Sequence, residues 1–69
     1  MTNAEFREWL KSMGFSQAKA ADALGLGEST VNGYATGKRR GDGGAVEIPL
    51  HISLACSALY HRLGPWRPG

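Results

Sequence analysis

Glycine punctuation constrains this chain more than any other feature. Gly14, Gly25 and Gly37 each follow directly on a stretch of helical character, so the first 37 residues divide into three short helices with very little chain between them. Thr2-Asn3-Ala4-Glu5 has the pattern of a capping box, with Thr2 accepting from the backbone and Glu5 reaching back. Phe6, Trp9, Leu10 and Met13 then recur at i, i+3, i+4 and i+7, the spacing of one buried helical face, which predicts a helix over 3–13. Ser16 is an N-cap residue for a second helix, Gln17 to Leu24, rich in alanine. Ala20, Ala21 and Leu24 share a face there, and side chains that small let another helix approach closely. Glu28 to Thr36 reads as a third helix begun by Gly27 or Glu28, with Val31 and Tyr34 turned inward. Gly33 inside it costs about 1 kcal/mol relative to alanine. Either the helix tolerates that cost, or the bare backbone lets another body come close.

Lys38-Arg39-Arg40 leads into Gly41-Asp42-Gly43-Gly44, a loop signature. Ile48-Pro49 opens a fourth helix, with Pro49 suited to the first turn, and Gly64-Pro65 stops it after about Leu63. On that helix Ile48, Ile52, Ala55, Cys56, Leu59 and Leu63 make one apolar stripe, expected to pack on the first three helices. Leu50, Leu54 and Ala58 fall on a second stripe, roughly 200–280° around the wheel from Ile48. No internal repeat is present, and no alternating run is long enough to argue for a sheet. The expected fold is all-α: a compact four-helix domain spanning 1–69, with a helix-turn-helix at 16–37 and a C-terminal helix at 49–63.

The 69 residues leave no room for a second core, and 42% apolar composition is too high for a disordered polymer. No apolar run approaches the roughly 18 residues of a membrane span, and Met1–Leu10 has no signal-peptide core. A soluble, cytoplasmic protein is expected. A lone cysteine, Cys56, excludes an internal disulfide framework and a multi-cysteine zinc site. His51, Cys56 and His61 are spaced five and five. At about 100° per residue they point away from one another on a helix, so no metal site, cofactor or enzymatic centre is expected, and no small-molecule ligand is evident. The formal charge of +2 lies wholly in residues 16–40, where Lys19, Lys38, Arg39 and Arg40 outweigh Asp22 and Glu28. A modest basic balance is weak by itself; its concentration beside one motif is more telling.

That motif has a specific physics. Two short helices that cross at a tight turn need a small residue midway along the first, here Ala21, and a residue tolerant of positive φ at the turn, here Gly25. Leu26 supplies an apolar wedge after it. Counted from Gln17 as one, the inward positions are Ala20, Leu24, Leu26, Val31 and Tyr34, with Ala21 at five and Gly25 at nine. These seven positions resemble the helix-turn-helix of the Cro and phage-repressor family of DNA-binding proteins, and Gly25-Leu-Gly-Glu-Ser-Thr-Val-Asn-Gly-Tyr-Ala-Thr-Gly37 is similar to the turn and recognition helix of a lambda-repressor-like domain. The likeness covers residues 3–40 well and the fourth helix loosely.

The resemblance implies a sequence-specific regulator of transcription that binds double-stranded DNA, and repression suits a bare domain with little surface for recruiting polymerase. Phage, plasmid and mobile-element repressors look like this, as do small autoregulators linked to anti-CRISPR operons. By position, Glu28, Ser29, Thr30, Asn32 and Gly33 fall on the exposed start and outer face of the recognition helix, where base edges are read. Glu28 can accept from a cytosine amino group or only favour the helix N-terminus electrostatically. Gln17, Lys19, Thr36, Lys38, Arg39 and Arg40 are the phosphate-binding candidates. One recognition helix sees few base pairs, so a palindromic operator and a two-fold homodimer are expected, with Leu50, Leu54 and Ala58 at the interface, His51 and His61 at its margin, and Trp66 capping it. The alternatives are that helix 1 or the Trp66 segment folds over this stripe, or that the chain is a protein-interaction module such as a toxin-neutralising antitoxin.

Overall fold

The computed structural model describes residues 1–38, 45–66 and 68. Among these residues four helices follow one another: α1 (Asn3–Met13), α2 (Gln17–Leu24), α3 (Glu28–Thr36) and α4 (Leu50–Tyr60). Among the described residues there is no strand, only an isolated antiparallel bridge between Lys38 and Ala45. The first three helices carry the bounds that their caps predict. At α1 the Glu5 backbone N–H donates to Thr2 Oγ1 over 3.0 Å while the Thr2 N–H donates to Glu5 Oε1 over 2.7 Å. That backbone bond, with the Thr2 hydroxyl adding to it, holds the Glu5 carboxyl below the ordinary carboxylate range. The box is therefore intact above that range and weakens as acid protonates Glu5. At α2, Ser16 Oγ accepts from the Lys19 N–H over 3.1 Å.

The helix ends are as local as the starts. Gly25 stands at φ 70°, in the left-handed region that a side chain disfavours. Its N–H donates to the Asp22 carbonyl and the Leu26 N–H to the Ala21 carbonyl, the paired bonds of a Schellman turn. Leu26 is thereby carried back against the core, and α3 starts two residues later across α2. Residues 14–15 repeat the arrangement after α1, placing Phe15 edge-on to Trp9 at 5.7 Å.

Phe6, Val31 and Cys56 are the largest side chains shut fully from solvent, one each from α1, α3 and α4. The Phe6 ring lies 5.5 Å from Trp9 and 5.6 Å, edge-on, from Tyr34. Ala20 and Ala21 present only methyl groups where α2 meets α3, and both are buried. Trp9 ties α1 to α4: its indole Nε1–H donates to the Cys56 carbonyl over 3.0 Å, which satisfies the one polar atom of a buried ring. Burial pushes the Cys56 thiol up to about 11, so it serves as a small apolar core group.

The fourth helix departs from the expected 49–63 span. Pro49 is its N-cap, with φ −60° and ψ 152°, and lies outside the first turn. Ile48 is buried from the extended segment before it. The helix ends at Tyr60, before Gly64-Pro65, because Arg62 adopts φ 58°. The Arg62 and Leu63 N–H groups then close a Schellman turn on the Leu59 and Ala58 carbonyls. Leu63, expected on the packed stripe, is consequently carried off the helix and exposed. Ile52 and Cys56 are buried as expected, and Leu59 packs at the edge of the core.

Gly33 also departs from expectation. It is buried, and a Cβ added there would meet Val46 Cγ2 at 3.6 Å and the Lys38 carbonyl at 3.7 Å, ordinary contact distances. Its bare side turns inward, toward Val46, and not to the outer face where a base could be read. Two opposite outcomes follow in urea or thermal unfolding. Gly25→Ala should destabilise the domain by about 1–2 kcal/mol, the cost of a left-handed alanine. Gly33→Ala should stabilise it by up to about 1 kcal/mol, because helix propensity is gained without a clash. Destabilisation by Gly33→Ala would mean that the Val46 contact is closer than these distances.

Candidate nucleic-acid interface

With Val31, Gly33, Tyr34 and Ala35 buried, α3 leaves Glu28, Ser29, Thr30, Asn32 and Thr36 exposed. Four of these five belong to its first turn and a half. Gly27 caps the helix without a side-chain bond, and the Glu28 carboxylate in the first turn complements the positive end of the helix dipole.

The crossing of α2 over α3 brings Gln17 to this face. Asn32 Nδ2 donates to Gln17 Oε1 over 3.1 Å, linking residues fifteen apart in the chain. Gln17, Glu28, Ser29 and Asn32 together line a shallow cavity of about 300 Å³. The bond leaves the two Gln17 Nε2–H donors, the Asn32 Oδ1 acceptor and one Asn32 amide proton available, because an amide carries two donors and one acceptor oxygen. Ser29 and Thr30 hydroxyls can donate and accept. The face is thus a set of short, uncharged hydrogen-bonding groups around one carboxylate, the chemistry that matches base edges in a major groove.

Other sequence-predicted residues are placed differently. The Thr36 hydroxyl is engaged at the end of α3, donating to the Asn32 carbonyl over 2.9 Å and accepting from the Lys38 N–H over 3.3 Å. Lys19 is exposed on the first turn of α2, outside the cavity. Lys38 is exposed just past α3, its backbone paired with Ala45. Arg39 and Arg40 lie outside the described residues.

Two supporting residues escaped the sequence reading. Asn3 Nδ2 donates to the Tyr34 carbonyl over 2.9 Å and to the Val46 carbonyl over 3.2 Å. The Arg7 guanidinium donates to the Ala35 carbonyl. Both come from α1 and satisfy backbone groups at the C-terminal end of α3, so the recognition helix is held at both ends: by the Gly25 turn before it and by α1 after it. Gly37 is closely packed here, since a Cβ would stand 3.0 Å from Asn3 Oδ1. Only partners 28 to 43 residues apart reveal these bonds, and no local pattern announces them.

On α4, Leu50 and Leu54 are exposed, Ala58 is half-buried, and exposed His61 stands edge-on to Tyr60 at 5.3 Å. Neither α1 nor the Trp66 segment covers Leu50 and Leu54, and Trp66 itself is exposed. Cys56 is buried while His51 and His61 are exposed, and among the described residues no three His, Cys, Asp or Glu side chains are grouped to hold a metal ion. Among those residues, too, no helix is long and apolar enough to cross a membrane.

Comparison with known proteins agrees with this geometry. A family model described as helix-turn-helix matches residues 6–40, from the buried Phe6 through α3 and the cations beyond it. No curated protein and no solved structure matches the chain. The Gly25 turn, the Ala20–Ala21 crossing and the polar outer face of α3 all lie within the matched half, and the chain belongs to the helix-turn-helix family of DNA-binding transcription regulators, of the Cro and phage-repressor type.

Proposed function

We propose that this domain is a repressor or autorepressor that binds a palindromic operator as a two-fold homodimer in the cytoplasm. The observation that carries the reading is the convergence of Gln17, Glu28, Ser29 and Asn32 on one exposed concavity at the start of α3, with Lys38 exposed just past the other end of that helix. In this reading α3 enters the major groove, and Glu28, Ser29, Thr30 and Asn32 meet base edges. Gln17 holds the Asn32 amide by its oxygen and keeps its own amide protons for a phosphate. Asn32 can then offer Oδ1 and its remaining proton to an adenine edge. Lys19, Lys38, Arg39 and Arg40 neutralise phosphates on either side of the groove, and the Thr36 hydroxyl lies along the same border. The assignment of Arg39 and Arg40 rests on sequence position alone. Repression follows from occupancy: a domain this small occludes a promoter but offers little surface to a polymerase.

Two monomers are needed because one short helix reads only a few base pairs, and half-sites spaced about one turn of DNA supply the rest. The apolar side of α4 at Leu50, Leu54 and half-buried Ala58, with His61 and Trp66 beyond the helix end, is the surface assigned to the second subunit. That same apolar side favours the runner-up reading, a protein-binding module such as an antitoxin. The polar face of α3 favours DNA.

Selection of bound duplexes from a random pool should return a two-fold symmetric sequence. A pool that stays random, with no affinity lost as salt rises, would contradict the reading. Replacing both Arg39 and Arg40 by alanine should weaken specific and non-specific binding alike and reduce the slope of log K against log salt by about 1.8, at about 0.9 for each phosphate contact. An unchanged slope would place both cations away from DNA. Alanine at Ser29, Thr30 or Asn32 should cost on the order of 1–3 kcal/mol on the selected operator with little effect on random duplex. Equal losses on both would make these side chains backbone contacts. Gln17→Ala and Asn32→Ala should be non-additive on the operator by at least about 0.5 kcal/mol, as expected of bonded partners; strict additivity would show that their bond does not operate on DNA.

A further inference from the structure

Apart from Met1, every exposed large apolar side chain among the described residues lies between Leu50 and Trp66. Leu50 is 74% exposed, Leu54 62%, Leu63 62% and Trp66 86%. Leu54, Leu63 and Trp66 line a groove of about 480 Å³ between the end of α2 and the flank of α4, together with Ala23, Leu24, Ala58, Leu59 and Pro65, and Leu50 lies one turn before Leu54 on α4. We propose that this groove receives the Trp66 indole of a second copy of the chain, in a reciprocal exchange across a two-fold axis.

The proposal rests on the dimer reading above and adds which side chain enters which site. Three features point to a second copy as the occupant. The first is area. Counting on the order of 150–250 Å² for a fully exposed large side chain, the four exposed residues leave on the order of 500 Å² of apolar surface on one side, at the upper range of what monomers expose. Two such faces together remove about 1,000 Å², the threshold of a specific interface, before the groove walls are counted. The second is self-complementarity. A two-fold interface must pair a patch with itself, and this patch holds both an exposed indole and a hollow whose walls include the small residues Ala23 and Ala58. The third is charge. Among the described residues no Lys, Arg, Asp or Glu lines the groove and His51 is the one ionisable side chain on its wall, so a strongly charged partner segment would find little to pair with.

The helix ending explains why the indole is available. Arg62 in the left-handed region turns the chain off α4 after Tyr60, and Pro65 then fixes φ just before Trp66. The ring is presented at the mouth of its own groove instead of being buried in it. In the dimer, each indole presses on Ala23 and Leu24, the residues that lead into the Gly25 turn. Association thus bears directly on the element that aims α3, and the two recognition helices are set relative to each other through α2 as well as α4.

Complementation between two defective variants tests this. Trp66→Ala has a groove but no indole to give; Ala58→Trp has an indole to give but a filled groove. By sedimentation equilibrium each alone should dimerise at least tenfold more weakly than the parent. Their equimolar mixture should associate more tightly than either, because the heterodimer recovers one of the two seats. A mixture no tighter than its components overturns the exchange and leaves the indole seated in its own chain or idle. Parent-like dimerisation of Trp66→Ala, or a monomeric parent, overturns it as well. If circular dichroism shows helix loss in Ala58→Trp, Ala23→Glu, at an exposed position of α2, blocks the groove in its place. Salt-dependent binding of random duplex, measured on the same samples, separates the two levels. Its retention in a failed dimer leaves the DNA-binding role standing, whereas its absence in the parent removes that role whatever the association state.

Discussion

The close crossing of α2 over α3 is the contact on which the rest of this structure depends. It exists because α2 offers two buried alanines, Ala20 and Ala21, and because Gly25 accepts φ 70° where the chain must reverse. A larger side chain at either alanine would push the helices apart, and a substituted Gly25 would strain the turn. From that crossing follow the burial of Val31 and Tyr34, the outward presentation of Ser29, Thr30 and Asn32, and the meeting of Gln17 with Asn32. The polar outer face of α3 is therefore a by-product of packing: the polar groups point outward because the apolar ones have found the core.

A domain of 69 residues has little stability to spare, and it deploys its long-range bonds accordingly. Trp9 joins α1 to α4 through the Cys56 carbonyl, and Asn3 and Arg7 join α1 to the end of α3. Three of the bonds that hold the tertiary arrangement thus begin on one helix, and each ends on a backbone carbonyl. Among the described residues no buried side-chain nitrogen or oxygen is left without a partner. That economy leaves the exposed apolar side of α4 as the conspicuous surplus, which is why it is assigned to a second subunit.

Legibility in the sequence tracked the range of the interactions involved. The bounds of α1, α2 and α3 were readable because their starts and stops are local: the Thr2–Glu5 box, the Ser16 cap, and glycines that close each helix on carbonyls one turn back. The end of α4 was not, because Arg62 takes the left-handed position that glycine usually fills, and a search for glycine overshoots to Gly64. That overshoot also misplaced Leu63 on the packed stripe. Gly33 was assigned to the outer face because a residue without a side chain carries no amphipathic signal; only the neighbouring Val46 reveals its inward direction. Asn3 and Arg7 sat in plain view as the start of a helix, and their partners across the fold could not be read from spacing.

The central claim is that the first turns of α3 and the start of α2 form the surface that meets DNA, with α4 turned away from it. Amide chemical shifts recorded while duplex operator is added at low salt test this directly. The largest changes are expected at Gln17, Glu28 to Asn32 and Lys38, with those of Leu50 to Tyr60 small by comparison once the dimer is formed. Changes concentrated on α4, with the amides of Glu28 to Asn32 unmoved, would contradict it.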